Sequence, residues 1–402
     1  MKIRELCIPS QTVDPTRKPD DSFRYVDISA VDNKRKRIVA SKEMLGRDAP
    51  SRARLLINAG DVLVATTRPN LNAVAIVPPE LDGQVCSTGF CVLKPKPSTD
   101  GEFLFFGVQS PDFVGALTEL ARGANYPAVS DKQVMEQALR CPDLSVQRQV
   151  AARLKEQMQA IESCRDWLSA AHKGALDLLD KTISGSFHGI TPLSLGSDEA
   201  PAPEGWRWHS LIDLARLATG HTPSRRCPEY WADGDIPWMA LPDIRALDCR
   251  VATETSEKTN AKGIANSSAR VLPPGTVALS RTASVGYVTI FGREMATSQD
   301  FVNWVCGPDL HAPFLLWLLR ASRAFIKGAS TGAVHQTVYM DVVERFRVCL
   351  PDLPTQQKVA TRLKESFGLI QQLQSAHEAQ LEALDKLPGA YLREAFGSLT
   401  AD

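Results

Sequence analysis

Pro142-Asp143-Leu144-Ser145-Val146-Gln147-Arg148-Gln149-Val150-Ala151-Ala152-Arg153-Leu154-Lys155-Glu156 returns as Pro351-Asp352-Leu353-Pro354-Thr355-Gln356-Gln357-Lys358-Val359-Ala360-Thr361-Arg362-Leu363-Lys364-Glu365, 209 residues downstream. Ten of the fifteen positions are identical. A period this long is not that of a solenoid. It fits a duplicated module, a domain followed by a helix, and duplication implies a pseudo-twofold arrangement.

Both copies open a long helix. From the first, steps of four and three pick out Val150, Leu154, Gln157, Ile161, Cys164, Leu168, Ala171, Ala175 and Leu178. From the second they pick out Val359, Leu363, Ser366, Ile370, Leu373, His377, Gln380, Leu384 and Leu387, each at the same offset of 209. A seam of about two apolar residues per heptad is narrow for a helix docked only on its own domain. The expectation is that the two helices pack on each other, as rods of roughly 50 Å. Ser184-Gly185 and Pro388-Gly389 are the expected stops.

Between the helices lie strand-rich segments. Arg24–Ile28, Asp61–Ala65 and Ala73–Val77 read as strands, with a helical patch over Phe103–Leu120. The division expected is a first β-rich domain (1–145), a central helix (146–184), a Pro/Gly/acid-rich linker (185–205), a second β-rich domain (206–350), a C-terminal helix (351–388) and a tail (389–402). Gly60–Arg68 matches Gly275–Thr282 in kind, aligning Arg68 with Arg281, and Gly123–Val129 lies opposite Gly328–Val334. The two domains therefore read as divergent copies of one α+β fold.

The 402 residues are 44% hydrophobic and 23% charged, with zero formal net charge. Neutrality at first argues against nucleic acid, but a basic run, Lys34-Arg35-Lys36-Arg37, can form a local patch. Nine scattered cysteines without Cys-x-x-Cys spacing point to reduced thiols and a cytoplasmic protein. No signal peptide or membrane span is expected. Walker A, Gly-x-Gly-x-x-Gly, His-Glu-x-x-His and Asn/Asp-Pro-Pro-Tyr/Phe motifs are all missing, which argues against a stand-alone enzyme.

The strongest local pattern is Thr219-Gly220-His221-Thr222-Pro223, then Tyr230-Trp231 and Ile236-Pro237-Trp238, then Leu272-Pro273-Pro274-Gly275-Thr276-Val277 and Ser280-Arg281-Thr282-Ala283-Ser284-Val285-Gly286. That order resembles the target recognition domain of type I restriction–modification specificity subunits. Leu350-Pro351-Asp352-Leu353-Pro354-Thr355-Gln356 looks like the segment opening that family's helices, and Cys141–Gln147 is a looser copy. The first domain lacks the Gly-x-Thr-Pro turn, and Phe23–Ile28 stands where the Ile-Pro-Trp strand would be.

The resemblance implies a non-catalytic, DNA-binding subunit. Each domain would read one half of a bipartite asymmetric site, while the antiparallel helices set the gap. Partners would be double-stranded DNA, two modification (methyltransferase) subunits and possibly restriction subunits. S-adenosylmethionine, ATP and Mg are expected on those partners, with none bound by this chain. Side chains in loops can read base edges in the major groove. The candidates are Lys34, Arg35, Lys36, Arg37, Arg68, Asn70 and Asn72 in the first domain. In the second they are Arg225, Arg226, Arg281, Thr282, Ser284, Thr331, His335 and Gln336. The basic run reads equally as a solvated hairpin turn, and Trp231 and Trp238 as core. The alternative for the whole chain is a coiled-coil protein-interaction scaffold that does not touch DNA.

Overall fold

The computed structural model describes residues 1–123, 126–332 and 336–399. The chain divides into two compact units, Met1–Ala170 with Ala376–Asp402, and Ala171–Ser375. Each unit combines a β-rich domain with segments of two long helices, Leu144–Ser186 and Leu353–Gly397. No helix among the described residues is long and apolar enough to cross a membrane.

In the first unit, Val62–Ala65 and Val74–Ile76 form an antiparallel hairpin, and Phe90–Pro95 pairs along its other edge. All four residues of Val62–Ala65 are buried, as expected of a strand covered on both faces. The helices Gly101–Gly107 and Pro111–Leu120 place Phe103, Leu104, Phe113 and Leu117 in the same core as Val62 and Val64. A five-stranded sheet includes Ser22–Val26, which runs parallel to Gln84–Ser87 with Tyr25 opposite Val85. In the second unit Ile236–Met239 runs parallel to Ala296–Thr297 with Trp238 opposite Ala296. Phe23–Ile28 thus does occupy the place of the Ile-Pro-Trp strand.

The second unit has the corresponding hairpin, Val277–Ser280 with Val288–Phe291, and Phe301–Cys306 on its edge. Its core joins Trp304, Phe314 and Leu315 to Leu179, Ile183, Ala360 and Leu363 of the long helices. Residues 185–205 are more than a linker. Phe187 is fully buried, and Leu193–Ser194 pairs with Val348 and Arg347.

The duplicated stretch has a structural purpose. The Asp100 N–H donates to Gln147 Oε1 (2.8 Å), and Gln147 Nε2 donates to the Pro142 carbonyl (2.8 Å). In the second unit the His311 N–H donates to Gln356 Oε1 (2.9 Å), and Gln356 Nε2 donates to the Pro351 carbonyl (3.0 Å). Both glutamines are almost fully buried, and both clamp the start of a long helix to the cap of a shorter one, Gly101–Gly107 or Ala312–Ala321. Buried polar groups need such partners, and one amide here serves a donor and an acceptor at once.

The long helices pair antiparallel within the first unit, where Arg153 meets Glu394 (3.9 Å) and Arg165 meets Asp385 (2.6 Å). The seam is followed only in part. Leu154, Ile161 and Leu168 are buried, but Cys164 and Leu178 are exposed, and Leu179 and Ile183 are buried instead. In the other helix Leu363 and His377 are buried while Leu373 and Gln380 are exposed. A strict heptad pattern drifts by ~20° per repeat on a helix of 3.6 residues per turn. By the last turns of the central helix, the buried stripe has moved on by one residue.

The stop expected at Pro388-Gly389 does not occur. The C-terminal helix continues to Gly397 with Pro388 inside it, so residues 389–397 are helix and not tail. A proline in a helix interior costs roughly 3 kcal/mol. Beyond it, Leu392, Ala395 and Phe396 enter the first unit's core, with Phe396 5.2 Å from Phe103. Burying a Leu and a Phe side chain contributes roughly 1.5–3 kcal/mol each, enough to carry the helix through.

Candidate nucleic-acid interface

Each hairpin ends in a loop that a second loop braces through the backbone. In the first unit the Val129 N–H donates to the Thr66 carbonyl (2.9 Å) and the Arg68 N–H to the Pro127 carbonyl (2.6 Å), with Thr67 bridged to Ala128. In the second unit the Val338 N–H donates to the Arg281 carbonyl (2.9 Å) and the Ala283 N–H to the Gln336 carbonyl (3.1 Å), with Thr282 bridged to Thr337. The bracing loops are themselves closed alike, by bridges of Arg122 to Ala128 and of Thr331 to Thr337. Gly123 (φ +112°) and Gly332 (φ +121°) sit just inside those bridges, in a region that L side chains rarely adopt.

These pairs correct the alignment of the two domains. Thr66 corresponds to Arg281, Thr67 to Thr282, and Arg68 to Ala283. Arg68 and Ala283 share a left-handed backbone (φ +51° and +57°). Likewise Gly123–Val129 corresponds to 332–338, not to Gly328–Val334. The matching letters Arg68 and Arg281 misled: with Gly60 set on Gly275, Arg281 falls on Thr66, two positions before Arg68.

The two frames display different groups. On the first, Arg68 is exposed and its guanidinium lies over the ring of Tyr126, 4.7 Å from the centroid; Tyr126 is itself 69% exposed. Asn70, two residues further along the loop, is also exposed. On the second, Ala283, Thr331 and Gln336 are exposed, while Thr282 is half-buried. Arg281 is drawn inward, donating from Nε to the Gln299 carbonyl (3.2 Å) and from Nη1 to the Val338 carbonyl (3.3 Å). Ser284 is buried and its hydroxyl accepts from Arg245 Nε (2.7 Å), so it positions the loop and is not available for contact. His335 lies outside the described residues.

The basic run is a hairpin turn with protein partners. Val31–Asp32 pairs with Arg37–Ile38, and the Lys34 and Arg35 N–H groups donate to Asp32 Oδ1 (2.9 and 3.0 Å). The Arg35 N–H leads in holding the Asp32 carboxyl below the usual carboxylate range. Arg35 faces Glu162 and Asp166 of the central helix (3.5 and 3.7 Å), and Arg37 reaches Glu162 (4.0 Å). Lys36 turns in and donates to the Asn72 carbonyl; burial pushes its amine down to about 8. Asn72 donates to the Gln109 carbonyl (3.1 Å). Lys36 and Asn72 therefore brace the Arg68 loop, and of the run only Lys34 points to solvent without a side-chain ion pair among the described residues.

Arg225 has a similar fate. It makes a bidentate pair with Glu257 (2.5 and 2.7 Å) and stacks over Trp231 and Trp238 at 4.0 and 5.0 Å. Glu257 holds the guanidinium charged, and Arg225 in turn keeps the Glu257 carboxyl below its usual range. Trp238 is buried as expected; Trp231 is half-buried. Arg226 is exposed. Gly220 in the Gly-x-Thr-Pro turn has no room for a side chain, since a Cβ would lie 2.0 Å from the Ser298 carbonyl oxygen. Sequence reasoning missed Tyr126 and Arg245, each of which acts through a partner distant in sequence.

Comparison with known proteins bears on these frames. Residues 203–383 match the model of the type I restriction modification DNA specificity domain. The MjaIX specificity subunit of Methanocaldococcus jannaschii is 27% identical over 184 residues, 45% of this chain and 42% of that protein, so the match spans under half its length. The HindI specificity subunit of Haemophilus influenzae is 22% identical over 348 residues, 71% of this chain and 75% of that protein. A chain solved in a study of complex assembly and conformational transition of the type I R-M system superposes with a TM-score of 0.82. It is 29% identical, covering 98% of this chain and 96% of that one.

Proposed function

The chain belongs to the type I restriction–modification specificity subunits, and from that premise we propose that each of its units reads one half of a bipartite, asymmetric DNA sequence. The observation that carries the reading is the pair of braced hairpin loops: one backbone frame, built twice, with different side chains on it. A frame held constant while its display changes is what two independent base-reading heads require. Base edges in the major groove distinguish all four pairs, and contacts to phosphate fix register without reading sequence.

The chain itself makes and breaks no bonds. Two modification subunits carrying S-adenosylmethionine methylate adenine in the DNA it selects, and restriction subunits using ATP and Mg act on the same assembly. The long helices act as the ruler between half-sites and offer docking surfaces to the modification subunits. Half-sites one turn apart lie ~34 Å from each other, a distance that helices of roughly 50 Å can span.

Methylated adenines mapped across the source genome, with and without this gene, test the reading. One bipartite sequence should lose methylation in the deletion strain. No change would favour the scaffold, in which Arg68 is inert towards DNA. Inserting four residues after Gln157 adds about 6 Å of rise and should lengthen the gap by one or two base pairs. An unchanged gap would show that the helices are not the ruler.

A further inference from the structure

We infer that Leu71 is a specificity-determining residue of the first unit and reads a thymine through its 5-methyl group. This rests on the proposed reading of DNA by the hairpin loops and gives the first head an apolar probe. The loop that joins Val62–Ala65 to Val74–Ile76 is closed by the Ala65 N–H on the Ala73 carbonyl (2.9 Å). Within it the Leu71 N–H donates to the Arg68 carbonyl (2.9 Å) and the Asn72 N–H to the Pro69 carbonyl (2.9 Å), with Pro69 buried. Asn33 Nδ2 donates to the Leu71 carbonyl (3.3 Å), Lys36 Nζ to the Asn72 carbonyl, and Asn72 Nδ2 to the Gln109 carbonyl (3.1 Å). Polar groups from the basic hairpin turn, and a carbonyl from between two helices, thus fix the backbone at Leu71 and Asn72. The side chain carried there is 47% exposed.

A single exposed leucine is ordinary on a protein surface. What sets Leu71 apart is a backbone held by side chains from elsewhere in the unit, while its own side chain contributes little to the core. The second unit treats its loop differently. There the Ser280 N–H closes on the Tyr287 carbonyl (2.9 Å), and Val285 of the enclosed loop is buried in the core with Trp304 and Phe314. One loop turns its aliphatic residue in, and the other holds it out. An aliphatic side chain offers a base neither donor nor acceptor. The apolar group that distinguishes a base in the major groove is the thymine methyl. Covering that methyl with a leucine removes apolar surface from water on both partners. A leucine fixed at the tip of a reading loop therefore selects an A·T pair without a hydrogen bond.

The test uses the complex with its modification subunits and duplexes carrying the sequence found by methylation mapping. Each thymine of the half-site assigned to residues 1–145 is replaced in turn by uracil, which lacks the methyl group. The wild type should bind about three- to tenfold more weakly at one of them. Leu71→Ala should bind the unmodified duplex about that much more weakly and lose nothing further on the replacement. It should keep full discrimination at the other half-site, which shows that the subunit is folded. Leu71→Met keeps an apolar side chain at the tip and should retain the sensitivity. The inference is overturned if no thymine methyl matters to the wild type, or if Leu71→Ala remains as sensitive as the wild type. It is also overturned if Leu71→Ala weakens all duplexes alike, as a change in the loop's shape would. A wild-type complex with no sequence preference at all would instead overturn the reading on which the inference rests.

Discussion

The hairpin loop of the first unit and that of the second share their backbone bracing and little else. Thr66-Thr67-Arg68 and Arg281-Thr282-Ala283 occupy matching positions, yet the arginine is exposed over Tyr126 in one and tied to carbonyls within the domain in the other. The difference teaches that in this chain the frame and the display have been uncoupled. Main-chain hydrogen bonds hold the loops, so the side chains are free to diverge. A copy of a reading head can then change its specificity without losing its fold.

The frame can be attacked first at its root. Gln147→Leu and Gln356→Leu each leave a buried N–H and a buried carbonyl without a partner, at roughly 1–3 kcal/mol per group. Each should lower the unfolding free energy by about 3 kcal/mol in denaturant titrations. Similar losses would confirm that the two clamps are equivalent, and a loss at only one would break the comparison there.

The shared left-handed position gives a smaller and more discriminating test. Ala283→Gly removes a steric cost of roughly 1 kcal/mol and should stabilise the protein by about that amount. Arg68→Gly gains the same relief but loses the contacts of its side chain, the stacking on Tyr126 among them, so it should stabilise less than Ala283→Gly. A destabilised Ala283→Gly variant would show that the second loop does not hold the backbone described.

A pH-dependent test concerns how the first loop is braced. Burial lowers the Lys36 amine from its ordinary 10.5 to about 8. Between those values the unfolded chain binds more protons than the folded one, so stability rises with pH in that window. The unfolding free energy of the wild type relative to Lys36→Met should be flat below about pH 7 and climb from about pH 8 towards 10. A flat difference over the whole range would place the amine in solvent.

Much of this architecture was legible in the chain because duplication and helical periodicity both leave regular traces. The offset of 209 located the two helices, and the hairpin letters located both loops. Their residue-level alignment was not legible. It is fixed by main-chain bonds to Pro127 and Gln336, which have no signature in side-chain identity. The helix beyond Pro388 was missed because local proline chemistry argued for a stop while distant packing of Leu392 and Phe396 decided otherwise. The basic run forms the hairpin turn that was one of its two readings, and the partners of its side chains were not legible. Its charges are answered by Glu162 and Asp166, far along the sequence on the central helix. Only Tyr126 could have been suspected, as an aromatic in a Gly-bounded loop.

Independence of the two heads is the central claim, and exchange of one head tests it most directly. Residues 206–350 are replaced by the corresponding segment of another specificity subunit, and methylated adenines are mapped across the genome of cells carrying the chimera. One half of the methylated sequence should change while the other half is retained. Change in both halves, or in neither, would contradict the account.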